Sequence, residues 1–210
     1  MKNLRIEVIK YANMLNSKKL SVLRSGNISV RYKDGFLITP SGTKYSSLKN
    51  KDIVFVSLKG EFNQEKNAPS SEWRFHQDIY LNKKDAQAIV HAHSNYATAI
   101  STHEKIIPAF HYMVAMAGGN DIKCAKYATY GTRELSRNIL KALKNRSACL
   151  IGNHGQIAFS ENLSKAFELA EEVENLSNQY INALKIGKPK ILSSKEMKKV
   201  LSKAKNYKRG

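Results

Sequence analysis

Apolar positions along the chain change their spacing repeatedly, and each change marks an element. Leu4, Val8, Tyr11 and Leu15 recur at helical intervals, which predicts an amphipathic helix over residues 4–15. Three short β-like runs follow, Asn27 to Tyr32, Phe36 to Thr39 and Ile53 to Leu58. Lys33-Asp34-Gly35 joins the first two, and Asp-Gly between apolar runs signals a hairpin. Pro69-Ser70-Ser71-Glu72 reads as a helix start, where hydroxyls and a carboxylate suit unpaired N–H groups. The helix it opens carries Trp73, His76 and Tyr80. Ala88 to His93 reads as a strand, and Leu135, Ile139 and Leu143 mark another helix. Ala148 to Ile151 and Gln156 to Phe159 are predicted strands flanking Gly152-Asn153-His154-Gly155. Ala166, Phe167, Ala170 and Val173 form a helical stripe that begins near Asn162 and stops near Gly187-Lys188-Pro189. Hairpin signals mixed with helices predict an α/β protein, with helices packed on a mostly antiparallel sheet. With no repeat or low-complexity linker, residues 1–210 read as one domain with a basic tail from about residue 195.

Composition adds little except charge. Apolar residues make up 42% and aromatics 9%, as in ordinary globular chains. No apolar run approaches the roughly 18 residues needed to span a bilayer. Met1-Lys2-Asn3-Leu4-Arg5 is followed by no apolar segment, so neither a signal peptide nor a membrane partner is expected. Cys124 and Cys149 form no CxxC pair, and a reducing cytoplasm is the expected setting. The net charge of +18 attracts nucleic acid, anionic membranes or phosphorylated substrates. Of 35 basic residues, however, 27 are lysines and only eight are arginines, the type favoured for bidentate recognition. Spread along the chain and densest from Lys195 to Arg209, they read as a solvated surface, and nucleic acid is not an expected partner.

The candidate chemistry centres on "IVHAHS", residues 89–94. In a strand, His91 and His93 project to the same face, side by side. His154, between glycines after an apolar run, is a candidate third member. Three neutral imidazoles with an open position are the usual catalytic zinc arrangement, although H-x-H is also a common polar strand end. His76 reads as a helix-face packing residue, His103 as solvated, and His111 as either core or site. Glu72 alone reads as a carboxylate at a helix N-terminus. Gly26-Asn27, Ser41-Gly42 and Ser70-Ser71 are ordinary turns or caps taken singly; together they make a candidate anion site from N–H groups and hydroxyls.

"SGNISVRY", "LITPSG", "PSSEWRFH", "IVHAHS", "IPAFHYMVAMAGG", "YATYGTREL" and "NHGQIAF" occur in this order. Together they resemble the zinc-dependent class II aldolase/adducin family over nearly the whole chain. The resemblance implies an α/β/α sandwich around a largely antiparallel sheet, assembled as a homotetramer with sites between subunits. It implies Zn2+ on His91, His93 and His154, approached by Glu72 as acid/base. It implies a phosphate cradle of Asn27, Ser41, Gly42, Ser70 and Ser71. Tyr112 matches a tyrosine lent by a neighbouring subunit, and Tyr207 one that folds over the site. The activity implied is cleavage of a ketose 1-phosphate, such as L-fuculose 1-phosphate, to dihydroxyacetone phosphate and an aldehyde such as L-lactaldehyde. The chain departs from the family pattern at Ala204, Tyr130 and Asn153, the first two where the aldehyde half would rest. An L-ribulose-5-phosphate 4-epimerase-like enzyme usually carries aspartate at the Glu72 position. A methylthioribulose 1-phosphate dehydratase is a further relative, and a non-catalytic adducin-like interaction module has no need of the histidines.

Overall fold

The computed structural model describes residues 2–65 and 67–207, the last three of them through the backbone alone. Helix α1 (Lys2–Ser17) precedes strands β1 (Asn27–Tyr32), β2 (Gly35–Ile38) and β3 (Val54–Ser57). Helix α2 (Trp73–Asn82), strand β4 (Ala88–Ala92) and helix α3 (Asn95–Ser101) follow. After the short strands β5 (Ile107–Pro108), β6 (Asp121–Ile122) and β7 (Cys124–Ala125) come helix α4 (Arg133–Ala142), β8 (Ala148–Ile151) and β9 (Gly155–Ser160). Helices α5 (Leu163–Ile186) and α6 (Ser194–Tyr207) complete the order.

Seven strands form one sheet in the order β3-β2-β1-β4-β9-β8-β7, antiparallel throughout except where β7 joins β8. The sheet is covered on both faces, which explains why its strands read as nearly continuous apolar runs. Ile28, Val30, Ala88, Val90 and Ala158 pack with Val8, Leu15, Phe167 and Val173 of α1 and α5. The alternate residues Phe36, Ile89, Ile157 and Phe159 pack with Phe75, Ile79, Leu135 and Ile139 of α2 and α4. The α/β/α sandwich is therefore a direct consequence of period-2 alternation between two apolar faces. Large apolar side chains contribute roughly 1.5–3 kcal/mol each when fully buried, and the double-sided core holds dozens of buried apolar residues.

Strand β4 lies at the centre. Asn27 of β1 pairs with His91 on one side, and Ile157 of β9 pairs with it on the other. Two glycines let the neighbouring backbone close on this strand end. Gly26 has φ +79°, and a Cβ there would meet Ser21 Oγ and the His91 carbonyl at 2.6 and 2.7 Å. A Cβ on Gly155 would run into the Ala92 carbonyl. Among the described residues no helix is long and apolar enough to cross a membrane.

Two elements depart from the sequence reading. Ser94 stands at the N-cap of helix α3 but accepts from Gln156 instead of capping; the first N–H groups are capped from α5, Glu174 accepting from Tyr96 and Ala97 at 2.9 Å each. The basic segment from residue 194 is a helix rather than a simple solvated tail, with Met197 buried on the core.

Candidate metal centre and active site

Four side chains converge where β4 ends. His91 occupies the penultimate strand position and His93 the residue just beyond it. His154 comes from the turn between β8 and β9, and Glu72 immediately precedes α2. His91 Nε2 lies 2.9 Å from His93 Nε2 and 3.2 Å from Glu72 Oε2, while His154 Nε2 lies 3.1 Å from Glu72 Oε1. One ligand atom from each residue falls within 4.8 Å of all the others. The expected same-face projection of His91 and His93 is what brings their rings together.

The protonation pattern of this cluster suits a cation. His91 Nδ1 donates to the Gln156 carbonyl at 2.8 Å, leaving Nε2 as a lone pair aimed into the cluster. Burial and the neighbouring His91 and His154 rings push His93 down to about 3, so its imidazole is neutral near pH 7. Burial by itself would raise the Glu72 carboxyl, but the adjacent His91 and His154 outweigh it and hold the group well below the usual carboxylate range. Glu72 Oε1 is buried with no hydrogen bond, because His154 approaches it without the alignment one requires. Imidazole lone pairs and an anionic carboxylate crowded together are a donor set for a divalent metal ion, and the residues present fit that group.

Glu72 itself is supported from behind. Its carboxylate makes no cap bond to α2, contrary to the simple helix-start reading. Instead Asn27 Nδ2 donates to Oε2 at 3.0 Å. Because that nitrogen donates, Asn27 Oδ1 accepts from His76 Nε2. His76 Nδ1 then accepts from Ser29 Oγ at 2.7 Å, and Ser29 Oγ accepts from the Tyr80 hydroxyl at 2.8 Å. His76 is fully buried, and burial together with nearby His91 pushes it down to about 3, so it is neutral as this pattern requires. The sequence predicts only packing for His76; it packs and also relays a directed hydrogen-bond chain that reaches the acid through Asn27. The clues were the Glu72, His76, Tyr80 row at every fourth position of α2 and the polar alternation Asn27, Ser29 on a buried strand.

A cavity of about 380 Å³ opens beside the cluster. An isolated bridge between Pro40 and Pro69 lays Ser41-Gly42 beside Ser70-Ser71, so both predicted turns line it. Asn27 lines it too, although its amide is occupied by Glu72 and His76. Tyr130 and Asn153, two departures from the family pattern, line it as well, with Tyr127. Comparison with known proteins then places the chain. The profile of the Class II Aldolase and Adducin N-terminal domain matches residues 6–181. The chain belongs to the class II aldolase and adducin family. It is 48% identical over 204 residues to a 5-methylthioribulose-1-phosphate/5-deoxyribulose-1-phosphate aldolase of Rhodospirillum rubrum, covering 97% of this chain and 92% of that one. It is 51% identical over 184 residues to an L-fuculose phosphate aldolase of Escherichia coli K12, covering 87% and 85%. A solved L-fuculose 1-phosphate aldolase superposes with a TM-score of 0.94 at 40% identity, over 98% of this chain and 97% of the other. The chain is thus an aldehyde-lyase of the class II, metal-dependent kind.

Not every residue expected at the site of this aldolase lines the cavity. Tyr112 opens a 3-10 helix (Tyr112–Ala117), is 54% exposed and does not line the cavity of its own chain. His111 is a local cap, accepting from Met113 N–H through Nδ1 and stacking on Tyr112. His103 is exposed, as expected. The Tyr207 side chain lies outside the described residues. Arg24 and Tyr127 line the cavity without having been anticipated from sequence.

Proposed function

We propose that this class II aldolase uses zinc to cleave ketose 1-phosphates between C3 and C4, releasing dihydroxyacetone phosphate and a short aldehyde. The observation that carries the reading is one cavity lined both by Glu72, His93 and His154 of the four-residue cluster and by two serine-bearing turns. His91, His93 and His154 would hold the ion. Imidazole is a ligand suited to zinc, and one donor atom from each of these histidines lies within 4.8 Å of the others. Bound there, zinc supplies Lewis-acid stabilisation for the negative charge of the enediolate left on the C1–C3 fragment.

The chain's own residues account for the rest. Hydroxyls and N–H groups of Ser41, Gly42, Ser70 and Ser71, with Asn27 beside them, position the phosphate. In the direction of aldol addition Glu72, ionised and braced by Asn27, takes a proton from C3 of dihydroxyacetone phosphate; in cleavage the protonated carboxyl returns that proton to C3 of the enediolate. The C4 hydroxyl must lose its proton as the bond breaks, and a tyrosine hydroxyl relays it. Tyr112 serves this role from an adjacent subunit of a homotetramer in the cytoplasm, with Tyr207 covering the site. The exposure of Tyr112 outside its own cavity supports action across an interface.

L-Fuculose 1-phosphate is the substrate favoured by the relatives at 51% and 40% identity. A second reading, 5-deoxypentulose or 5-methylthioribulose 1-phosphate, is favoured by the relative that spans 97% of the chain. These substrates share the dihydroxyacetone phosphate half and differ only in the aldehyde half, where Tyr130 stands. A panel of these ketose 1-phosphates and their unphosphorylated counterparts, assayed for dihydroxyacetone or its phosphate, tests the reading. At least one phosphate ester should exceed its free ketose in kcat/KM by a hundredfold or more, on the order expected for lost phosphate positioning. Equal turnover of both forms would sink the cradle assignment.

The interface role has its own test. Tyr112→Phe should slow C–C cleavage strongly while sparing proton exchange on dihydroxyacetone phosphate. Mixing Tyr112→Phe with Glu72→Gln subunits should restore part of the activity, because some interfaces then pair an intact glutamate with an intact tyrosine. Confirmed subunit exchange without recovered cleavage would show that Tyr112 does not act across the interface.

A further inference from the structure

The cavity must receive a phosphate dianion next to an ionised carboxylate. The serine-bearing turns are neutral, and both polar atoms of the Asn27 amide are already bonded, to Glu72 and His76. Among the described lysines and arginines, Arg24 is the one that lines this cavity. We propose that Arg24 binds the substrate phosphate and supplies the positive charge that the neutral cradle lacks. The proposal rests on the ketose 1-phosphate reading above and adds a binding residue to it.

The loop is built to present this side chain. Ser21 is buried, and its Oγ accepts the His93 N–H at 3.1 Å, tying the loop to the metal-ligand segment. Asn16 Nδ2 donates to the Ser21 carbonyl at 2.9 Å and to the Leu23 carbonyl at 3.4 Å. The chain then turns sharply through Leu23, at φ +56°, with Ser25 N and Oγ both donating to the Val22 carbonyl. The Tyr45 hydroxyl holds the far end at the Gly26 carbonyl, and Gly26 leads directly into Asn27. Both ends of the loop are fixed against the site, and Arg24 projects from between them.

Its guanidinium is uncommitted. Arg5, Arg31 and Arg146 each donate to carbonyl or carboxylate oxygens. Arg24 has no hydrogen bond or ion pair with any described residue, and it is exposed on the wall shared by the cavity and a neighbouring hollow. A planar, permanently charged fork is the side chain best matched to two phosphate oxygens. Its attraction also offsets the repulsion between the dianion and Glu72.

The test compares wild type, Arg24→Ala and Arg24→Lys, all zinc-loaded, on the best ketose 1-phosphate of the panel and on its free ketose. Binding of inorganic phosphate is measured separately by calorimetry. Loss of a charge-assisted contact should lower the preference for the phosphate ester over the free ketose roughly tenfold in Arg24→Ala, through KM rather than kcat. Inorganic phosphate affinity should fall by a similar factor, and Arg24→Lys should recover part of both. A merely structural role would lower kcat/KM for the two ketoses together and leave their ratio alone. If the wild type itself shows no phosphate preference, the proposal falls together with the ketose 1-phosphate reading. If the wild type discriminates and Arg24→Ala discriminates and binds phosphate equally well, only the assignment of Arg24 is overturned.

Discussion

Alanine at His91, His93 or His154 is expected to strip the bound metal and lower aldol cleavage by at least about 10³-fold, the scale of losing electrostatic stabilisation of an anionic intermediate. The fold should survive. The sheet is held by apolar packing on both faces. The three variants should nevertheless differ in stability. His91 is fully buried, donates to the Gln156 carbonyl and meets Phe75 edge-on with ring centroids 5.3 Å apart. His91→Ala therefore leaves a void and an unpaired carbonyl. His154 sits in a turn with part of its side chain exposed, and its removal should cost the apo-protein least. Metal content per subunit, paired with the melting temperature of each apo-variant, checks both statements. Stoichiometric zinc retained in every variant would refute the ligand assignment.

Glu72→Gln is expected to separate two functions of one side chain. Glutamine preserves length and offers an oxygen to Asn27 Nδ2, so the carboxamide should remain in place above α2. It cannot exchange a proton with carbon. Solvent exchange of the C3 proton of dihydroxyacetone phosphate should fall by on the order of 10²–10⁴, the usual contribution of a positioned acid/base. The three imidazoles stay intact, so metal content should remain near that of the wild type. Deuterium incorporation followed by NMR gives the rate directly. Exchange at the wild-type rate with metal retained would rule out Glu72 as the proton carrier.

Much of this architecture is legible in the chain because burial on two faces leaves a strong signature. The runs at 88–93 and 148–151 are apolar enough to be central strands, and the spacing of His91 and His93 places both rings on one face. What local pattern does not contain is the partner across the gap. His76 is inside by helical periodicity, but whether it merely packs or also bonds depends on Asn27 and Ser29, about fifty residues earlier in the chain. Helix α3 is hidden for the same reason, since Glu174 of α5 supplies the cap that its own N-terminus lacks. The C-terminal segment was readable in principle: Met197, Val200 and Leu201 have helical spacing and pack on the core. The surrounding lysines obscured that stripe. Arg24 carries no mark of its position, because local sequence does not show which hollow a loop side chain will face.

The close approach of Gly26 and Gly155 to strand β4 carries a consequence for how such a chain diverges. Neither residue bears a functional group, yet each lets a neighbouring main chain come within contact of the carbonyls at the end of the histidine strand. The demand they answer is steric and persists as long as the sheet does. The demand on the histidines is chemical and lapses once catalysis is no longer selected. A descendant that has become a binding module is therefore free to drift at His91, His93 and His154 while remaining pinned at the two glycines. Within such a lineage, glycine retention records ancestry of the scaffold, and histidine retention records continued employment of the metal.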